Sequence, residues 1–108
     1  MTTLTLLMKA EGKRLMKECK TELTNTLLFS SENGSAIGTA TITVNRYEIK
    51  DITVAIFKDD GAEVVKGKEI NPYFTVNLLT KREYKKALEE KMQVLREKAC
   101  ERYFEGVN

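Results

Sequence analysis

The chain predicts an α+β fold: an N-terminal helix, an antiparallel sheet of three to four strands built from hairpins, and a long C-terminal helix. Three observations carry this. Apolar residues recur at helical spacing in the first 24 residues, and again after residue 80. Between them, alternating segments are punctuated by Asn33-Gly34 and Asp60-Gly61, both turn dipeptides. No helical stretch separates the strands, so the pattern is α+β rather than doubly wound. At 108 residues the chain fits one domain spanning 1–108.

The first helix is expected over about 4–24. Leu4, Met8, Leu15, Cys19 and Leu23 share one face, and Gly12 on that face marks a close helix–sheet approach. Lys13, Lys17 and Lys20 lie opposite, where water should be. Residues 26–31 read either as a strand or as the end of this helix, and the strand count depends on which. Another strand is expected over 36–44, with Asn33-Gly34 as the hairpin turn and positive φ at both residues. The run "ITVAIF" does not alternate, which predicts a strand covered on both faces. Gly67 reads as a bulge or bend, and Pro72 argues against a central strand at that point. "YFTVNLL" alternates, with Phe74, Val76 and Leu78 on one face and Tyr73, Thr75 and Asn77 on the other.

"TKRE" from Thr80 to Glu83 is a capping box, so the last helix starts there. It is expected to run to about Phe104, with Gly106 as its C-terminal cap. Tyr84, Leu88, Met92, Leu95, Ala99 and Tyr103 form its apolar stripe. Both helices are expected to cover one face of the sheet.

Composition restricts the chemistry. Apolar residues make up 42% and charged residues 31%, the balance of a soluble globular chain. The two cysteines form no CxxC pair, which points to a reducing compartment, hence the cytoplasm. The N-terminal stretch does not read as a signal peptide, and no run is long enough to span a membrane. There is no histidine, so the usual base near neutral pH and most zinc sites are excluded. No nucleotide-binding glycine motif occurs. The acidic turn around Asp59, Asp60 and Glu63 reads as ordinary turn chemistry. The expectation is a non-enzyme with no cofactor and no metal.

Binding is the class that remains. Net charge is +2, from 18 basic and 16 acidic residues, too balanced to argue nucleic-acid binding in bulk. The leading expectation is a module that binds another protein or itself, through a surface formed by the sheet and the last helix, and forms a homodimer. Tyr47 and Tyr73 are free to be surface contacts, and Cys100 and Phe104 share an apolar face off the main stripe of the last helix. Size and lack of reactive groups suit a small accessory or inhibitor protein of phage or mobile-element type.

Two alternatives rest on cations. Lys81, Arg82, Lys85 and Lys86 crowd the start of the last helix, where they oppose the helix dipole. That is a reason to expect phosphate there, with Lys13, Lys17 and Lys20 extending the patch. The order helix, three strands, helix resembles the double-stranded-RNA-binding domain. Its lysines at the start of the last helix are similar to Lys81, Lys85 and Lys86 here. The resemblance covers topology only, and it implies a nucleic-acid-binding module. "KKALEEKM" departs from it by turning acidic. The second alternative is a small anionic ligand at a subunit interface, held by Arg46, Arg82 and the helix N-terminus.

Overall fold

The computed structural model describes residues 2–58, 61–66 and 69–107, with 98–107 described as backbone alone. The elements in order are β1 (Thr2–Thr3), α1 (Leu4–Glu18), β2 (Glu22–Ser31), β3 (Ala36–Asn45), β4 (Ile49–Lys58), β5 (Gly61–Lys66), β6 (Thr75–Leu78) and α2 (Lys81–Val107). The architecture is α+β and every strand pair is antiparallel. The sheet has six strands, not three to four, in the order β1-β6-β2-β3-β4-β5.

The largest correction is at the end of α1. The helix stops at Glu18, and Cys19 is already extended at φ −73°, ψ 129°. Leu23 therefore belongs to β2. It fits the helical period from Cys19, but it also fits the two-residue alternation Leu23, Asn25, Leu27, Phe29, and the sheet decides between them. These β2 residues pair with Val44, Ile42, Ala40 and Gly38 of β3, so all eight positions share one face.

That face carries the core. Leu4, Met8, Leu15 and Cys19 from the helical segment pack with Phe29, Ala40, Ile42, Val44, Val54 and Val76. Fully burying such side chains stabilises by about 1.5–3 kcal/mol each, an upper bound for an extended-chain reference. Two glycines permit the packing. A methyl on Gly12 would collide with Ile49, so the expected close approach of α1 to the sheet is real. A methyl on Gly38 would collide with the Ala55 carbonyl and the Phe29 ring, a demand the sequence did not reveal. Thr3 caps α1, its Oγ1 accepting from the Leu6 N–H at 3.3 Å.

The β2–β3 hairpin forms, but not as expected. Gly34 has φ 75°, whereas no residue other than glycine has positive φ among the described residues. Asn33 instead works through its side chain: Oδ1 accepts from the Ser35 N–H at 3.0 Å and from the Ser31 and Ser35 hydroxyls. β4 and β5 pair with Lys58 opposite Gly61, next in the chain to Asp59 and Asp60. Those two residues, like Gly67, lie outside the described residues. β4 is less covered than its sequence implied: Val54 is fully buried, while Thr53, Ala55 and Phe57 on the other face are half-buried.

Pro72 sits outside every strand, in the connection from β5 to β6. This connection crosses from one edge of the sheet to the other end. There β6 slots between β1 and β2, and the Leu4 N–H bonds the Phe74 carbonyl at 2.9 Å.

The capping box of α2 is formed: the Glu83 N–H donates to Thr80 Oγ1 at 3.2 Å and the Thr80 N–H to Glu83 Oε1 at 3.0 Å. The helix continues to Val107, so Gly106 lies within it rather than capping it. Its half-buried side runs through Tyr84, Leu88, Lys91 and Leu95, while Met92 is exposed. Lys91 Nζ donates to the Ser35 carbonyl at 2.8 Å, which fastens α2 to the β2–β3 hairpin. From there, residues 92–107 add ~24 Å of helix. A ten-residue strand is ~33 Å, so the 59 Å long axis of the molecule reflects α2 running past the sheet.

α1 packs over one face of the sheet, where Leu4, Met8 and Leu15 enter the core. Ile37 points to the opposite face, lies outside the α1 core, and is yet only 2% exposed. α2 meets β3, which carries Ile37, and its neighbour β2.

Candidate interaction surfaces

The sheet offers two edges, and only one is long. β1 has two residues, whereas β5 has six and no further strand beyond it among the described residues. Along β5, Ala62, Glu63, Val64 and Lys66 are exposed, Val64 at 69%. An unpaired strand edge presents a row of free N–H and C=O groups to any chain that can pair with it. Charges and bends usually block such edges. Here the middle of the strand carries a valine.

Beside this edge, on the α1 side of the sheet, is a cleft of about 480 Å³. Ile56 and Val65 form its floor, and Ile70 and Phe74 of the crossover connection its far wall. Phe74 is set by an edge-on contact with Phe29, ring centroids 6.2 Å apart. Lys58 and Glu63 stand at the rim and pair with each other at 3.5 Å. An apolar cleft beside an unpaired strand suits an extended segment, which would pair with β5 and place alternate side chains in the cleft.

The face away from α1 differs. Thr24 and Thr26 of β2 oppose Thr43 and Thr41 of β3, with hydroxyl separations of 3.0 and 3.2 Å. Thr39 and Thr53 extend the array onto neighbouring positions. In the sequence these positions are the alternations "TNT" and "TATIT".

Tyr47 and Tyr73 are both 83% exposed. The structure does not bring them together. Tyr47 is at the β3–β4 turn, held by its N–H to Asn45 Oδ1 at 2.7 Å. Tyr73 is in the crossover connection, held by Asn71 Oδ1 at 2.9 Å. Asn45 is opposite Glu22 and Val76 is opposite Ser31, so the two tyrosines lie at opposite ends of β2, ~30 Å apart. The side chains of Cys100 and Phe104 lie outside the described residues. Cys19 is a packed core thiol, 7% exposed, with Sγ 3.9 Å from the Val44 carbonyl.

The basic residues also divide. Lys20 and Arg46 flank the end of the sheet where Glu22 pairs with Asn45. Lys81, Arg82, Lys85 and Lys86 follow Leu78, which is opposite Phe29. Seven strand residues separate those levels, ~23 Å. Lys13 and Lys17 ride on α1, beside Arg14, whose guanidinium is bound to Glu11 and Glu18. Lys81, Arg82, Lys85 and Lys86 are exposed, and none of these four is in an ion pair among the described residues. The helix N-terminus beside them is already occupied. Hydrogen bonds from the Thr80 backbone and hydroxyl hold the Glu83 carboxyl below its usual range, so it is a fixed anion where a phosphate would sit.

Elsewhere, the Arg14 hydrogen bond lowers the Glu11 pKa against the opposing effect of burial, and Asn25 Nδ2 donates to Glu11 Oε1 at 2.9 Å. Burial raises the Tyr84 phenol. Among the described residues no group of acidic or thiol side chains is placed to hold a metal, and no helix is long and apolar enough to cross a membrane. Comparison with protein-family models, curated proteins and solved structures finds no match to this chain.

Proposed function

We propose that the chain is a non-enzymatic, cytoplasmic module that binds protein, another chain or a second copy of itself, by strand addition at β5. The observation that carries this reading is the six-residue unpaired edge with Val64 69% exposed, lying beside an apolar cleft. Main-chain pairing would supply affinity and the cleft would supply specificity. In this reading α2 lies over Leu28 and Ile37 on the face away from α1, which accounts for the buried Ile37. The cleft face is then left free. A role as an accessory or inhibitor protein of phage type fits such a module by size alone.

Nucleic acid and small anions are less well served. Arg46 and Arg82 stand at different levels of the sheet, as do the two lysine groups, so neither set forms one patch. The test is titration of labelled duplex and single-stranded RNA and DNA at about 50 and 200 mM salt. The expected result is no saturable binding at either. Tight binding at low salt that weakens steeply at high salt would overturn the protein-binding reading.

A further inference from the structure

We infer that the strand added to β5 is β5 of a second copy, in one antiparallel register centred on Val64. This rests on the edge reading above and names its partner. Gly61 closes the β4–β5 hairpin opposite Lys58, and Glu63 and Val65 face Ile56 and Val54 of β4. The Leu28 carbonyl turns to β6, so along the ladder the Leu28–Thr39 pair is not hydrogen-bonded, Thr39–Ala55 is, and Ala55–Val64 is not, with the pattern alternating along each antiparallel pair. Ala62, Val64 and Lys66 therefore turn their backbone N–H and C=O groups away from β4, toward the empty side.

Those three residues are self-complementary about Val64. A two-fold axis there sets Val64 against the partner's Val64 and Ala62 against the partner's Lys66. All three outward residues of both copies are then used, giving about six main-chain hydrogen bonds. Shifting the axis to Glu63 places two carboxylates opposite each other, which is destabilising, and shortens the ladder to about four bonds. Shifting it to Val65 leaves Ala62 without a partner within the strand. Charge and bond count thus select one register.

The same register joins the clefts. Glu63 would oppose the partner's Val65 on the α1 side, and Val65 would oppose the partner's Glu63. Each cleft gains a wall from the other copy, so two half-open clefts become one trough across the axis. Glu63 enters this arrangement paired with Lys58 at 3.5 Å. On the other face the two Val64 side chains, each 69% exposed in the single chain, cover one another. The contact is isologous, so it closes at two copies and does not propagate.

The test is sedimentation of the full chain across a concentration series, beside Val64→Lys. The wild type should pass from one to two chains, and Val64→Lys, which sets two ammonium groups opposite each other, should stay a single chain with unchanged circular dichroism. If Val64→Lys fails to fold, chains carrying Glu63→Cys and Val65→Cys, each in a Cys100→Ser background, are mixed and oxidised. They should cross-link to each other more than either does to itself. A wild type that remains a single chain throughout, a folded Val64→Lys that still pairs, or cross-linking without preference for the mixed pair overturns the inference. A single chain that also ignores nucleic acid removes the second copy but leaves protein binding standing, whereas saturable nucleic-acid binding removes the reading itself.

Discussion

The two ends of the sheet are built on opposite plans. At the β6 end the strands are short, four residues and two, and β6 is paired on both sides. Val76 is 3% exposed, the Leu4 N–H holds the Phe74 carbonyl, and Phe74 stands edge-on to the fully buried Phe29. At the β5 end a longer strand pairs with β4 alone among the described strands and leaves Val64 69% exposed. The first end closes the core. The second spends little of its surface on stability, which is what a docking edge requires.

Mutations should separate the two ends by size of effect. Phe29→Ala removes the ring between β6 and β3 and should cost about 3–5 kcal/mol in denaturant unfolding. Gly38→Val, which drives side-chain atoms into the Ala55 carbonyl and the Phe29 ring, should cost about 1–3 kcal/mol by the same measurement. Thr80→Ala removes the cap of α2, just after β6, and should lower stability by about 1 kcal/mol. Val64→Lys at the other end should change the stability of the single chain by less than about 0.5 kcal/mol. A loss there as large as at Phe29 would mean that β5 is part of the core, and the contrast would fail.

Acid should act on the helix–sheet junction between the two ends. Glu11 is held below the usual 4.5, first by the Arg14 hydrogen bond and also by Asn25 of β2. A carboxylate depressed in the folded state stabilises above its unfolded pKa, and that contribution is lost as pH falls through the folded value. Glu11→Gln should therefore be less stable than the wild type at neutral pH, by roughly 0.5–1 kcal/mol. The difference should vanish in acid unfolding experiments well below pH 4.5.

Local chemistry made much of this legible in the sequence. The capping box at Thr80 and Glu83, the close approach at Gly12, the buried Cys19 and the exposure of Tyr47 and Tyr73 all follow from neighbours in the chain. The end of α1 did not, because Leu23 satisfies both the helical and the strand period. Strand order was hidden for a different reason. β4, β5 and β6 read as consecutive hairpin strands, but the connection carrying Pro72 crosses to the far side of β2 and leaves β5 alone. The candidate site depends on that crossover, so no single segment announces it. Tyr47 and Tyr73 look equivalent in sequence for the same reason, although ~30 Å separates them along β2.

Amide hydrogen exchange at the two ends, followed as protein concentration rises, tests the central claim most directly. Ala62, Val64 and Lys66 should exchange fast in dilute solution and gain protection together as concentration increases, while the amides of β6 keep the same protection throughout. Protection at β5 that never changes with concentration, up to the highest attainable, would contradict an edge built to pair with a second copy.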